Sequence, residues 1–571
     1  MLTLRPKLKK MFNNITKMHF FTSRRTLFAI FLLLFAVSVN ARPPKYEVRA
    51  VWLATIGGID WPSDFANANN RQSIVRQKRQ LTTILDQLQK ANVNTVLLQV
   101  RTRGAVIYPS DIEPWAPCMS GKDGQSPGYD PLRFAIQECH KRGMELHAWL
   151  VTIPVGKWNS PACKRLRRQY PSMIVNKKGE GYHNPASPLT ARYLASICKE
   201  IASKYDVDGI HLDYIRYPET WGNVNPTTAR ENITDIVRTI YREVKNIHPY
   251  IKVSAAPVGK YKNLSRYSSN GWNAYSRVHQ AAQEWMREGI VDQLYPMMYF
   301  RADNFYPFLL DWQEHSYGRT VVSGLGVYML DRREGNWPLR DIERELNVCR
   351  SNGVGHCLYR SRFLTSNTKG VYNLVCDEFD NYPALVPPMK WQHSTPPESP
   401  QNVKITDEKG RKYVSWTKSN GLTYNVYASN NNDVNINDAR NLISARMPYS
   451  SISLPGHYRS VAITAMDRYG NESRPVKIIP GGGKGYSHNT VAPPLMQCDG
   501  RFLSLQKDKL IDADLVMIKS MMGQVLYVKP YTSYMDVRNV PDGMYRLYSL
   551  GKKKKNTHFL GFFQIKRKSN G

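Results

Sequence analysis

Asp213 and Glu219 are the two carboxylates best placed in this sequence to work as a pair. They bracket Tyr214-Ile215-Arg216-Tyr217-Pro218, and His211 stands just before them. Ile210 and Leu212 alternate with His211 and Asp213, the pattern of a short strand with its polar side chains on one face. Tyr217-Pro218 stops that strand, because proline has no amide to donate to a ladder. A carboxylate left where a strand leaves a sheet is costly to desolvate without a partner. Chemistry is one reason to keep it there, and a structural bond to loop amides is another. Arg216 and His211 are expected to hold Asp213 ionised, as a nucleophile, base or charge stabiliser requires. Glu219 lies near Trp221, and an apolar wall raises a carboxyl pKa so that the group keeps its proton for acid work. Glu113 is the reserve for that second role, with Asp60 and Asp303 ranked lower.

The elements that must position these groups follow a strand–helix alternation. Strands are predicted over residues 47–55, 94–100, 144–151, from 207, 251–257, 291–299, 320–328 and 355–359. Helices are predicted over 73–91, 131–142, 190–205, 232–246, 276–288 and 340–351, with an excursion of hairpin type at 156–188. This order predicts an α/β protein built on a (β/α)8 barrel with enlarged loops. An open doubly wound sheet is the rival, disfavoured because no glycine-rich phosphate fingerprint follows a strand. The working mouth of such a barrel lies at the C-terminal strand ends. Gln99, Arg101, His147, Trp149, His211, Asp213, Tyr295, Tyr299 and Tyr328 are therefore expected to ring one opening, with Asn184 closing the excursion beside it.

At 571 residues the chain exceeds one core, and its formal charge of +33 points to an anionic neighbourhood. The basic residues are scattered and no nucleic-acid-binding motif appears, so nucleic acid is not the expected partner. Arg24-Arg25 precede an apolar run ending in Val39-Asn40-Ala41, which predicts a signal peptide over 1–41, export to the periplasm or cell surface, and no membrane span after its removal. The cysteines lack metal-knuckle spacing, and no metal or cofactor is expected. After a barrel over 42–380 come a proline-rich linker (381–400), a short-strand segment (401–479), a glycine-rich linker (480–490) and a strand-rich tail (491–571).

The barrel segment resembles the glycosyl-hydrolase-like family ten. The matching stretches are Arg49-Ala50-Val51-Trp52-Leu53-Ala54-Thr55, Asp60-Trp61-Pro62, Asn94-Thr95-Val96-Leu97-Leu98-Gln99-Val100-Arg101, His140-Lys141-Arg142-Gly143-Met144-Glu145-Leu146-His147-Ala148-Trp149 and Asp208-Gly209-Ile210-His211-Leu212-Asp213. The resemblance implies a barrel glycosidase acting on envelope glycan, in particular peptidoglycan strands. Breaking a glycosidic bond needs an acid for the leaving oxygen and a carboxylate that attacks or activates water. One departure concerns chitinase-like barrels, whose fourth strand reads Asp-Gly-x-Asp-x-Asp-x-Glu. Here His211 replaces the first inner Asp, and Ile215 stands where the Glu would be. Segment 401–479 resembles a fibronectin type III sandwich through Trp416, Tyr424, Tyr458 and Ala465-Met466-Asp467-Arg468-Tyr469-Gly470-Asn471-Glu472-Ser473. The tail is similar to the sorting domains of type IX secretion, which implies contact with secretion machinery. Two other readings share the aromatic mouth: a barrel that binds glycan without cleaving it, and a surface adhesion protein.

Overall fold

The computed structural model describes residues 43–265, 271–408, 411–454 and 458–479, and within the tail 496–498, 502–505, 513–520, 525–530, 534–537, 540–551 and 557–565. The expected signal segment and the glycine-rich linker lie outside the described residues. Two compact units divide the chain, Met1–Gly485 and Tyr486–Gly571.

The first unit is built on a closed parallel barrel. Its strands are β1 (Arg49–Leu53), β2 (Thr95–Thr102), β3 (Glu145–Val151), β4 (Gly209–Asp213), β5 (Lys252–Ala255), β6 (Gln293–Leu294), β7 (Thr320–Leu325) and β8 (Gly355–Leu358). Each pairs with its neighbour in sequence, and β1 pairs with both β2 and β8, so no edge is left. Outside run α1 (Arg71–Lys90), α2 (Pro131–Lys141), α3 (Pro188–Lys204), α4 (Pro226–Ile247), α5 (Ala282–Glu288), α6 (Tyr306–Glu314) and α7 (Leu339–Ser351). Several start where side chains dictate: Asn70, Asp130 and Asn225 accept first-turn amides at the N-caps of α1, α2 and α4. Proline at the first turn of α2, α3 and α4 gives up an amide that would have had no partner.

Two elements depart from expectation. The sixth strand is only Gln293–Leu294 rather than 291–299, because Pro296 cannot donate to the ladder. Its carbonyl instead receives the amides of Met298 and Gly324. The helix expected over 276–288 breaks into Ala274–Arg277 and α5, since His279 takes a left-handed φ of 59° and Gln280 is spent elsewhere. Gln280 receives the Val258 amide at 3.0 Å and donates to the Ile215 carbonyl at 3.2 Å, tying the loops after β4 and β5 together. The excursion after β3 holds a helix, Pro161–Gln169, and a three-stranded antiparallel sheet of Pro154–Lys157, Glu180–His183 and Ile174–Lys177.

Inside the barrel the register sets His147, Trp149 and Val151 of β3 beside Gly209, His211 and Asp213 of β4. Gly209 is required there: a Cβ would lie 2.6 Å from the His147 ring. The N-terminal end is closed by charge. Glu145 pairs with Lys252 at 2.8 Å and with Arg446, while Asp208 pairs with Arg446 at 2.8 Å and His140 at 2.7 Å.

Arg446 comes from the segment that follows the barrel. That segment folds as two antiparallel sheets, Gln401–Glu408/Arg411–Thr417/Ser451–Leu454 and Leu442–Met447/Thr423–Ser429/Ser460–Met466/Val476–Ile478. Val414 and Trp416 of one sheet share a core with Val426 and Ile463 of the other. More bonds join this segment to the barrel: Arg468 to Asp206 at 2.8 Å, Glu472 to Lys45 at 2.6 Å, and the linker's Trp391 indole to Asp292 at 2.9 Å. The second unit has two antiparallel sheets of its own, with Leu503, Val516, Ile518, Leu547 and Phe563 in its core.

Candidate active site

Asp213 is the last residue of β4, and its side chain is partly open at the mouth. The Trp149 indole donates to Oδ2 at 3.0 Å, and the Tyr214 amide donates to Oδ1 at 2.6 Å. Thr152 fixes the residue from behind, its amide and hydroxyl donating to the Asp213 carbonyl at 3.0 and 2.8 Å. Three tyrosines stand over this floor. Tyr299 stacks on Tyr359 at 5.3 Å, and Tyr328 meets each edge-on at 5.6 Å. Burial and then mutual proximity keep the Tyr299 phenol protonated far into the alkaline range, with the Asp213 charge contributing.

Tyr214 ties the two expected carboxylates together. Its amide holds Asp213, and its hydroxyl donates to Glu219 Oε2 at 3.0 Å. The Arg216 guanidinium lies over the Tyr214 ring at 3.9 Å and donates to Glu219 Oε1 at 2.9 Å. Tyr214 adopts φ 53°, a left-handed conformation that costs a side-chain-bearing residue about 1–2 kcal/mol. These contacts hold it there.

The pKa shifts of the two carboxyls run opposite to the expected ones, Asp213 upward and Glu219 downward. Burial raises the Asp213 pKa, and Arg216, Trp149 and the Tyr214 amide offset only part of that. Burial also acts to raise Glu219, but its own amide, Arg216 and Tyr214 outweigh it and hold the group below its ordinary value. Glu219 is an exposed loop residue paired with a guanidinium, not one walled in by apolar groups.

Several residues expected at the mouth serve as fasteners instead. Arg101 and Glu113 form a fully buried two-pronged ion pair at 2.8 Å, and Glu113 also receives the Tyr193 hydroxyl at 2.9 Å. Neither is available to substrate. Gln99 is buried, its side-chain oxygen accepting the amides of Thr55 and Ile56 at 3.0 and 2.9 Å. His147 lies two strand positions below Trp149, buried against Glu145 at 3.1 Å. His211 is also below the surface, between Ser254 at 2.9 Å and the Trp52 indole at 3.2 Å. Burial and the neighbouring His147 hold it neutral. Tyr295 is buried with its hydroxyl on Gln293 at 3.0 Å. Asn184 caps a turn, receiving the Ala186 amide at 3.1 Å. Ile215, in the place of the chitinase glutamate, is wholly buried.

Sequence reasoning ranked Asp60, in the loop after β1, low and missed the contribution of β8. Tyr359 and Arg360 follow β8, and Arg360 ion-pairs with Asp60, whose other oxygen accepts the Ala54 amide at 2.9 Å. Burial raises Asp60, and the Asp60 and Asp213 charges both act on the Tyr359 phenol. The signal was present in the polar residues that end strand eight. A cluster of Glu47, His356 and Asp380 also has its donor atoms within 4.8 Å of one another. Arg49 and Arg350 already occupy it, at 2.8 Å and 2.6 Å from Glu47, so its charge is spent on ion pairs rather than on holding a metal.

The family described as glycosyl hydrolase-like 10 matches residues 47–231 and 228–323. The glycosyl hydrolase YngK of Bacillus subtilis is 27% identical over 427 residues, covering 67% of this chain and 82% of that protein. The glycosyl hydrolase DigH of Escherichia coli is 30% identical over 347 residues, covering 51% of this chain and 79% of that one. The glycoside hydrolase domain of PgaB (BpsB) from Bordetella bronchiseptica aligns with a TM-score of 0.40 at 14% identity, over 58% of this chain and 98% of that domain.

Proposed function

The chain belongs to the glycosyl hydrolase-like 10 family and is a glycoside hydrolase; from that premise we propose that it cleaves the glycan strands of peptidoglycan. The observation that supports the mechanism is the Tyr214 bridge, whose backbone amide binds Asp213 and whose side-chain hydroxyl binds Glu219. Asp213 protonates the leaving oxygen, and Glu219 takes a proton from the attacking water. The interposed tyrosine favours the wider carboxyl spacing, about 6.5–9.5 Å, that leaves room for water and inverts the anomeric centre, over the roughly 5 Å of retention. The Tyr299–Tyr359–Tyr328 cluster supplies faces on which sugar rings stack, whereas Trp149 is buried and holds Asp213 through its indole.

Export is part of the same reading, with a signal peptide removed near Arg42, a fibronectin type III-like segment over 401–479 and a tail over 491–571 read by secretion machinery. The test is to incubate the purified protein with peptidoglycan, peptide-free glycan strands and chitin oligomers, then resolve products by mass and anomer. Shortened strands of inverted configuration are expected, and none from Asp213→Asn. Wild-type protein that releases nothing from any strand overturns the substrate assignment, and retained configuration overturns the roles given to the two carboxyls.

A further inference from the structure

A cavity of about 440 Å3 opens between the loops that follow β1, β2 and β3. Phe65, Val155 and Ala162 give it an apolar lining, and Arg103 and Lys157 bring two cations. The other arginines named at the mouth are matched: Arg101 by Glu113, Arg216 by Glu219 and Arg360 by Asp60. Arg103 and Lys157 have no hydrogen bond or ion pair from their side chains among the described residues, although Asp123 lines the same cavity.

The backbone is shaped to present Arg103. It takes a left-handed φ of 53°, and its stem crosses Gly156, where φ is 109° and a Cβ would lie 3.3 Å from Arg103 Cδ. The walls are fastened to the reacting centre. Gln99 holds Ile56 on one side, and Thr152 on the other binds the Asp213 carbonyl three residues before Val155. That stretch spans about 10 Å at most, the reach of one or two sugars. A neighbouring cavity of about 530 Å3 shares Pro161 and adds Lys164 and Arg168, again with no acid bonded to either side chain among the described residues.

We propose that the 440 Å3 cavity is a subsite for a carboxylate-bearing sugar beside the bond being cleaved, with Arg103 and Lys157 on the carboxylate and the apolar wall on the sugar face. The proposal rests on the glycan-hydrolase reading and sharpens it to acidic glycan.

Its test is calorimetric binding, with cleavage followed separately on the same material. Peptide-free glycan strands are compared with identical strands whose carboxylates have been reduced to alcohols. Wild-type protein is expected to bind the acidic strands about fivefold or more tightly than the reduced ones, the scale of a few partly exposed charge contacts. Arg103→Gln/Lys157→Gln, which changes two exposed residues, is expected to lose that difference while melting as wild type. Equal binding of the two strands by wild type, binding of neither, or an unchanged preference in the double variant overturns the subsite. Preferential binding without cleavage leaves the subsite standing and removes the hydrolase reading. Cleavage of both strands with equal binding does the reverse.

Discussion

At the scale of single residues, the proposed mechanism turns on which carboxyl keeps its proton. Burial raises Asp213, whereas Arg216 and Tyr214 help hold Glu219 low. The pH profile of kcat/KM should therefore be bell-shaped, its acid limb set by Glu219 and its alkaline limb by Asp213. Glu219→Gln is expected to cut the rate about 10²–10⁴-fold and erase the acid limb; an erased alkaline limb would return the acid role to Glu219. The same shift bears on stability. A carboxyl whose folded pKa is raised favours folding below its unfolded pKa and costs stability as pH rises through the folded value. Asp213→Asn should thus melt above wild type at neutral pH, and the gap should close in acid. Glu345, on α7, is a stronger case. It is 1% exposed, neither oxygen has a hydrogen-bond partner among the described residues, and burial followed by the Asp341 charge raises its pKa well above the ordinary value. Glu345→Met is expected to add about 1–3 kcal/mol at neutral pH, less at low pH. A denaturant midpoint that stays put or falls would refute this.

Among elements, the seam between the barrel and the following sheets is the point of leverage. Burial raises Glu145, but Lys252 and Arg446 hold it well below its usual value; Asp208 is likewise lowered by His140 and Arg446. With depressed folded pKa values, both contribute stability above about pH 4 and lose it as pH falls further. Arg446→Met strands two buried charges and should cost about 3–5 kcal/mol near neutrality, with a shallower acid limb than wild type. A loss below 1 kcal/mol would mean that Lys252 and His140 suffice. The barrel itself was legible because alternation and helical spacing are local properties of the chain. Where they failed, a single residue overrode them, as Pro296 did in β6. The position of Asp213 was legible because it ends a strand. The fastening roles of Gln99, Arg101 and Glu113 were not, since a polar residue does not announce a partner from another loop. His147 shows a second limit: alternation gives the face of a strand but not the depth below the mouth.

The whole molecule carries a formal charge of +33, far more than the cations of one cavity. Such a field speeds encounter with any acidic polymer and is screened over about 8–10 Å at ordinary salt. Association rates with acidic glycan should therefore fall steeply between low and physiological salt, whereas kcat, measured at saturation, should hold. Stopped-flow binding beside steady-state turnover separates the two, and a kcat that falls in step with the association rate would place the charge effect in the chemistry. The seam has a consequence of another kind, in time. Asp208 is made 238 residues before the Arg446 that neutralises it, and Lys45 is made 427 before Glu472. At 5–20 residues per second, Asp208 waits roughly 12–50 s for this arginine, with His140 its partner until then. During synthesis the barrel floor is an acidic opening awaiting its stopper, and the last turn of the key comes from outside the barrel.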